Sequence, residues 1–235
     1  MKRLILLSMI LLFGTYPLFP QLSGWKKLID EPTYGVSVNP QNPNTIFVGG
    51  EGRVIYRSYD AGLSWDTVVV GYRGGTALLN NILIHPIDTN VVICGGLMFG
   101  DVRRTINHGN NKDDWVTVLK RSNNICLDGK ALVMKPDDPN ILFIGDYTSG
   151  NVYKSQDRGI TWDTISTILA PRKVRDNAED PYRDTIMPVN ICSIYIREDS
   201  TNIILATSNY AECFISTDGG YNWKITATLI NPQYW

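Results

Sequence analysis

One eight-residue pattern, Ser-x-Asp-x-Gly-x-x-Trp, occurs three times in this chain and constrains its fold more than any other feature. The three copies begin at Ser58, Ser155 and Ser216, and a degenerate copy with Asn in place of Asp begins at Thr105. Self-similarity at the spacing of one small structural unit is the signature of a repeat architecture. We name these four segments the Asp turns. Their defining residues are Ser58, Asp60, Gly62 and Trp65, then Asn107, Gly109 and Trp115, then Ser155, Asp157, Gly159 and Trp162, and finally Ser216, Asp218, Gly220 and Trp223.

Each Asp turn predicts a tight connection between two strands. The Asp or Asn oxygen can accept hydrogen bonds from nearby backbone N–H groups, as in an Asx turn. The Gly supplies a position with positive φ at no steric cost, and the Trp then covers the hairpin with its ring. Asp60, Asp157 and Asp218 are the residues that supply this oxygen in the three complete copies.

A second repeated element precedes each Asp turn and consists of two apolar runs joined by a turn rich in Pro, Asp and Asn. Such a pair of runs indicates a β-hairpin. The repeating unit is therefore strand A, a turn, strand B, a loop, strand C, the Asp turn and strand D. The sequence predicts an all-β fold, a β-propeller of four-stranded antiparallel blades. Four blades are visible, at about 34–70, 80–120, 130–169 and 190–230.

The paired elements resemble the Asp-box (BNR) repeat β-propeller family, and most of all its sortilin-type, xyloglucanase-like and photosystem II assembly-factor-like branch. The resemblance covers nearly all of the chain after its N-terminal segment. It implies a propeller whose Asp turns lie away from the functional face, and therefore structural rather than catalytic roles for Asp60, Asp157 and Asp218. It does not select a function, because the same scaffold serves enzymes, receptors and assembly factors.

Four blades are fewer than the six or more that the resemblance implies. Residues 24–29 look like an outer strand D that lacks its own strands A to C, whereas the last blade ends with a complete strand D. We therefore expect an incomplete or open propeller over residues 23–235. Further sequence or a partner chain would supply the missing blades.

The N-terminal segment predicts export. Lys2 and Arg3 precede the apolar run 4–13, which has the length of a secretory signal peptide. We expect a signal peptide over residues 1–22, with a retained N-terminal anchor as the alternative, and a protein secreted to the extracellular space, the periplasm or the cell surface. No second segment is long and apolar enough to predict a membrane span.

Charge and cysteine content exclude few ligands. A net charge of −1 gives no reason to expect a nucleic-acid partner. The four cysteines, Cys94, Cys126, Cys192 and Cys213, have no metal-binding spacing, and they can be free thiols or pair in three ways. No phosphate-binding loop or metal-ligand cluster is visible, so we expect no cofactor and no metal.

Candidate site residues lie in the B–C and D–A loops, which share one face of the blades. The longest connection, 171–188, is polar and predicts a functional or mobile loop. His85 and His108 fall in turns and are expected to be solvated. Three acids on this face, Asp101, Asp146 and Glu212, are weak catalytic candidates. The binding candidates are Tyr72, Arg73, Tyr147, Arg175, Tyr182, Arg183 and Tyr210.

Three functions fit these features. The first is a secreted, non-catalytic module that binds protein or glycan through the aromatic and arginine residues. The alternative is a glycoside hydrolase, xyloglucanase- or sialidase-like, or a fragment of one, which needs two carboxyl groups across a cleft. The Arg-Ile-Pro signature of sialidases and the Arg-Thr-Asp-x-Gly-Gly run of xyloglucanases are both absent. An assembly factor for a membrane complex is a third hypothesis.

Overall fold

A computed structural model describes residues 26–71, 77–97, 101–120, 129–175, 177 and 179–228. Over these residues the fold is all-β, with four sheets of four antiparallel strands, one two-stranded sheet and a single 3₁₀ turn. In each four-stranded sheet every strand pairs with its neighbour in sequence, which is the order expected of propeller blades.

The four blades follow one another along the chain. Blade 1 comprises β1 (Thr33–Val38), β2 (Ile46–Gly50), β3 (Val54–Ser58) and β4 (Asp66–Val69). Blade 2 comprises β5 (Leu78–Ile84), β6 (Val92–Leu97), β7 (Asp101–Thr105) and β8 (Val116–Lys120). Blade 3 comprises β9 (Leu132–Met134), β10 (Leu142–Gly145), β11 (Asn151–Ser155) and β12 (Asp163–Thr167). Blade 4 comprises β15 (Ile191–Ile196), β16 (Ile204–Ser208), β17 (Glu212–Ser216) and β18 (Lys224–Thr228), after the two-stranded sheet of β13 (Leu169–Val174) and β14 (Arg183–Pro188).

The hydrophobic core lies between consecutive blades. Alternate residues of a strand point to opposite faces of a sheet, so each inner blade buries both of its faces. Phe47 and Ile55 of blade 1 pack with Leu79 of blade 2, and all three are fully buried. Equivalent clusters fill the spaces between blades 2 and 3 and between blades 3 and 4.

The innermost strands pack directly against each other, β1 on β5, β5 on β9 and β9 on β15. Glycine permits this approach, because a Cβ on Gly35 of β1 would overlap the carbonyl oxygen of Asn80 of β5. Between blades 2 and 3, Oδ1 of Asn81 accepts hydrogen bonds from the N–H groups of Ala131 and Leu132, at 3.1 and 3.2 Å. The blades are therefore joined by backbone contacts as well as by apolar packing.

The Asp turns share one hydrogen-bond pattern. In blade 1, Oγ of Ser58 donates to Oδ1 of Asp60 at 2.8 Å and accepts from the N–H of Gly62 at 2.7 Å. Asp60 also accepts from the N–H of Ser64 at 2.9 Å, and Nε1 of Trp65 donates to the carbonyl of Gly62. Blades 3 and 4 repeat these bonds. The glycines adopt positive φ, +87° at Gly62, as the turn requires.

The degenerate turn of blade 2 keeps the same geometry. Thr105 donates to Oδ1 of Asn107 at 2.7 Å and accepts from the N–H of Gly109. A 3₁₀ turn, Lys112–Asp114, takes up the two additional residues. Trp115 then lies over Gly109, where a Cβ would overlap its ring.

The outer strand expected over 24–29 is not formed over 26–29, its described part, which carries no strand assignment. Residues 24 and 25 and the expected signal peptide, 1–22, lie outside the described residues.

The prediction of a loop over 171–188 is wrong. Most of this connection forms the hairpin of β13 and β14. Pro171 and Pro188 lie within these strands. Both strands are edges of a two-stranded ribbon, and proline is tolerated at a sheet edge because its missing N–H removes no inner ladder bond.

His85 is buried rather than solvated, with 1% of its surface exposed. Its Nδ1 accepts hydrogen bonds from the N–H groups of Ile87 and Asp88, and burial lowers the pKa of the imidazole.

Cys94, Cys192 and Cys213 are free thiols, and burial raises the pKa of Cys94; Cys126 lies outside the described residues. In the described part of the chain, no helix has the length and apolar character needed to cross a membrane.

Candidate functional site

The B–C loops of blades 3 and 4 meet at one end of the structure, where hydrogen bonds join them. Nδ2 of Asn190, which precedes β15, donates to the carbonyl oxygen of Tyr147 at 2.6 Å. Nδ2 of Asn209 lies 3.4 Å from the hydroxyl of Tyr147, and its N–H donates to the carbonyl of Asn190. Together with Arg172 and Tyr210, these residues form a continuous area that we name the blade 3–4 loop surface.

A bidentate ion pair attaches the hairpin to blade 4. Nη1 and Nη2 of Arg172 in β13 donate to Oε1 and Oε2 of Glu212 at 2.5 and 2.7 Å. Ser208 donates a further hydrogen bond to Oε2 at 2.7 Å. Only 7% of the Glu212 side chain is exposed, and charge-assisted bidentate pairs of this kind fix orientation strongly. The base of the hairpin therefore has a defined position on blade 4.

Two exposed tyrosines lie beside arginines on this part of the molecule. The guanidinium carbon of Arg172 lies 4.7 Å from the ring centroid of Tyr210, and that of Arg175 lies 5.0 Å from the ring of Tyr182. Tyr210 is 44% exposed and Tyr182 is 53% exposed. Cation–π contact holds each ring in place while leaving area free for a ligand.

The three candidate acids are each held by other groups. Asp101 accepts from Arg103 at 2.9 Å and from Thr117 at 3.0 Å, and it lies 3.4 Å from Nη1 of Arg53. Asp146 accepts from the N–H of Thr148 and the hydroxyl of Ser149, with 1% of its surface exposed.

Glu212 pairs with Arg172, as described above. The three acids thus belong to blades 2, 3 and 4, and each has its own hydrogen-bonding partners.

The remaining predicted residues are distributed as follows. Arg183 lies at the start of β14, opposite Val174, and is exposed. Tyr72 and Arg73 lie outside the described residues. The structure therefore brings together Tyr147, Tyr210 and Glu212, and it places Arg175 and Tyr182 farther along the hairpin.

A polar cavity of about 280 Å³ opens between the inner strands of the first three blades. Tyr34, Asn81 and Lys130 contribute to its lining. Nδ2 of Asn81 is buried and has no hydrogen-bond partner. Such a cavity has room for ordered water, which commonly satisfies buried polar groups. Among the described residues no group of three or more His, Cys, Asp or Glu could hold a metal ion.

Arg172, Asn190 and Asn209 are the residues of this surface that the sequence did not single out. Arg172 meets Glu212 across 40 positions, and Asn190 meets Tyr147 across 43. A pairing at such separation leaves no local pattern in the sequence. In the sequence, the unusual length of the connection between blades 3 and 4 was the signal that pointed to the blade 3–4 loop surface.

Comparison with known proteins finds sequence similarity to a xyloglucanase and structural similarity to GH74 enzymes. No family model matches the chain. Xyloglucanase Xgh74A of Acetivibrio thermocellus is 24% identical over 163 residues, which make up 62% of this chain and 19% of the relative. A second sequence of that name and organism matches over the same length at the same identity. The chain spans about a fifth of the length of these curated relatives.

Among solved structures, an ancestral GH74 enzyme is similar with a TM-score of 0.63 at 18% identity, over 85% of this chain and 24% of that one. The GH74 enzyme of Niastella koreensis matches with a TM-score of 0.48, over 82% of this chain and 38% of that one. The first similarity supports the β-propeller fold, which the four described blades define.

Proposed function

We propose that this chain is part of a carbohydrate-active β-propeller related to glycoside hydrolases, and that its ligand is a xyloglucan-type β-glucan. The observation that carries the proposal is the 163-residue similarity to a xyloglucanase, together with the shared blade fold. This favours the glycoside-hydrolase alternative over a module that binds protein. The export signal expected at 1–22 suits a polymer found outside the cell.

The blade 3–4 loop surface is the proposed glycan contact. Tyr210 presents an exposed ring, whose apolar face suits stacking against a sugar and whose hydroxyl group can hydrogen-bond, and Tyr182, farther along the adjoining hairpin, presents a second. Asn209 and Arg172 add amide and guanidinium donors for glycan hydroxyl oxygens. The Arg172–Glu212 ion pair fixes this area on blade 4, so little side-chain conformational freedom is lost on binding.

The role proposed for these blades is substrate binding rather than bond cleavage. Glycoside hydrolysis needs an acid and a second carboxylate facing one sugar ring across a cleft. Asp101, Asp146 and Glu212 are instead engaged with arginines or with their own turns. Any catalytic pair would then come from outside the described blades.

The test is retardation of the purified chain in native gels that contain xyloglucan, with amylose and sialylated glycan as controls. We expect retardation by xyloglucan and little by the controls, and no release of reducing ends. Equal mobility in all gels would contradict the proposal. Release of reducing ends that is lost in Asp146→Ala or Asp101→Ala would show that these blades themselves catalyse.

A further inference from the structure

The turn between strands A and B, here named the A–B turn, has one equivalent position in all four blades. The N–H at this position donates to the carbonyl oxygen six residues later, at 2.8 to 3.0 Å. The residues that occupy it are Asn39, His85, Lys135 and Arg197. We name it the cap position. In blades 3 and 4 its basic side chain pairs with the aspartate two residues later.

In blades 1 and 2 the side chain at the cap position accepts backbone hydrogen bonds instead. Oδ1 of Asn39 accepts from the N–H groups two and three residues later, at 2.9 and 3.2 Å. Nδ1 of His85 accepts from the two corresponding N–H groups of its own turn, at 3.3 and 3.0 Å. Both residues are buried, with 4% and 1% of their surfaces exposed. An imidazole nitrogen therefore has in blade 2 the role that an amide oxygen has in blade 1.

The hydrogen bonds of His85 define the protonation state of its ring. Nδ1 accepts two N–H groups and so carries no proton, which leaves the single proton of the neutral imidazole on Nε2. Nε2 is buried and has no hydrogen-bond partner among the described residues. A second proton on Nδ1 would convert this acceptor into a donor that faces two other donors. The closed turn is therefore compatible with the neutral ring and not with the charged one.

The charged groups around His85 come from blades 2 and 3. Burial is the main cause that lowers the pKa of the imidazole below 6.5. Arg158 in the Asp turn of blade 3 and Arg104 in β7 act in the same direction. Asp88 in the same turn and Asp138 in the A–B turn of blade 3 oppose them. The surroundings as a whole disfavour the charged ring.

The A–B turn of blade 2 also contacts both neighbouring blades. Nε2 of Gln41 in blade 1 donates to the carbonyl oxygens of Pro86 and Ile87, at 2.9 and 3.0 Å. Oδ2 of Asp88 lies 3.6 Å from Nη1 of Arg158 in blade 3. A change in this turn would therefore alter contacts on both sides of blade 2.

The same turn supports the Asp turn of its own blade. The carbonyl oxygen of Asn90 accepts a hydrogen bond from the N–H of His108 at 3.0 Å. The next residue, Gly109, supplies the carbonyl oxygen to which Arg57 of blade 1 donates. The position of that acceptor depends on the A–B turn, so a second contact between blades 1 and 2 depends on it as well.

We propose that His85 is an acid-sensitive switch, in which a proton from solvent binds Nδ1, opens the A–B turn of blade 2 and weakens its contacts with blades 1 and 3. The two states are a closed turn with a neutral, buried ring and an open turn with a charged, hydrated ring. Blade 1 does not respond in this way, because the amide of Asn39 does not titrate. The first three blades are then held together most firmly in neutral solution and less firmly in mildly acid solution.

The first test compares the unfolding equilibrium constant from urea titrations at about pH 7.5 and about pH 5.5. A histidine whose pKa is lower in the folded state stabilises the fold above its unfolded pKa, and this contribution is lost as the pH falls through 6.5 toward the folded pKa. We expect the constant of the unmodified chain to rise by up to about tenfold, since the lower pH lies one unit below the unfolded pKa. Carboxyl groups stay ionised over most of this range.

His85→Asn places the acceptor of blade 1 in blade 2 without a group that titrates. Its unfolding constant should change less than about twofold between the two pH values. His108→Asn is the matched control, because it makes the same exchange at the other histidine of the chain. The φ of His108 is +61°, which asparagine tolerates. This variant should keep the full pH dependence of the unmodified chain.

The second test is nitrogen-15 NMR of the histidine rings, which needs no folded His85 variant. His108→Asn identifies the signals of His85. We expect a ring protonated on Nε2 alone at neutral pH, with a pKa below 6.5. The N–H groups of Ile87 and Asp88 should lose protection from hydrogen exchange, relative to their intrinsic rates, as the ring becomes charged.

Equal pH dependence of the unfolding constant in His85→Asn and in the unmodified chain would overturn the proposal. A proton on Nδ1 at neutral pH, a pKa of 6.5 or higher in the folded chain, or full protection of both N–H groups beside a charged ring would also overturn it. Each of these results is independent of whether the chain binds xyloglucan.

Discussion

Arg57 in blade 1 donates a hydrogen bond of 2.6 Å from Nη1 to the carbonyl oxygen of Gly109 in the Asp turn of blade 2. The same guanidinium forms a bidentate pair with Asp66, at 2.9 and 2.7 Å. Only 5% of Arg57 is exposed. Arg57 therefore links β3 to β4 within blade 1 and also attaches blade 1 to blade 2.

Arg57→Met should destabilise the protein by about 1.5–3 kcal/mol, because it removes charge-assisted bonds and leaves the carbonyl of Gly109 without its donor. The measurement is the free energy of unfolding in urea. Arg197→Met is the matched control, since Arg197 pairs with Asp199 on the exposed surface. Its effect should stay within about 0.5 kcal/mol. Equal effects of the two substitutions would contradict a cross-blade role for Arg57.

Ser216→Ala should destabilise the fourth Asp turn by about 1–3 kcal/mol. Oγ of Ser216 accepts from the buried N–H of Gly220 at 2.9 Å and donates to Asp218 at 2.7 Å, so alanine leaves that N–H without a partner. Thr217→Ala, at the adjacent exposed position, is the control and should be nearly neutral. The same urea titration checks both. A neutral Ser216→Ala would show that the turn is held by the Asp and Gly alone.

Stability should fall as the pH drops from about 4 to about 2. The hydrogen bond from the Ser64 side chain is the main cause that lowers the pKa of Asp60 from 3.8 to about 2, and Asn222 acts in the same way on Asp218. A carboxyl group whose pKa is lower in the folded state stabilises the fold above its unfolded pKa, and this contribution is lost as pH falls through the folded pKa. Urea midpoints measured across this range should fall less steeply in Asp218→Asn. If the urea midpoint of Asp218→Asn fell with pH as steeply as that of the unmodified protein, the stabilising role of the ionised Asp218 would be contradicted.

Arg172→Met should release the hairpin from blade 4 and cost up to about 3 kcal/mol, because Glu212 then remains nearly buried without its counter-charge. Glu212→Gln should cost a similar amount. The double variant should cost less than the sum of the two, which is the signature of direct coupling. Protease cleavage within β13 or β14 should also accelerate in the single variants. Additive free energies would show that the pair does not act as a unit.

The repeated elements were predictable because their determinants are local. Asp60, Gly62 and Trp65 lie within a few residues of each other, and the hairpin signals occupy single apolar runs. Sequence therefore predicted the four-stranded blades and their order, which the structure confirms.

Contacts between distant residues were not predictable in the same way. Arg57 reaches Gly109 across 52 positions, and Arg172 reaches Glu212 across 40. His85 was expected in solvent because its turn is polar, yet its ring is buried and its Nδ1 is satisfied by the backbone of that same turn. The site on blades 3 and 4 depends on such tertiary pairings, which no spacing in the sequence records.

Calorimetric titration of the purified chain with xyloglucan oligosaccharides tests the central claim most directly. We expect measurable binding that Tyr210→Ala weakens roughly tenfold, because truncation of one exposed aromatic anchor typically has an effect of this size. Tyr59→Ala is the control, since Tyr59 is 47% exposed beside Arg57 at the opposite, Asp-turn end of its blade. It should leave affinity unchanged. Absence of binding by the unmodified chain, or equal losses in Tyr59→Ala and Tyr210→Ala, would contradict glycan recognition by the blade 3–4 loop surface.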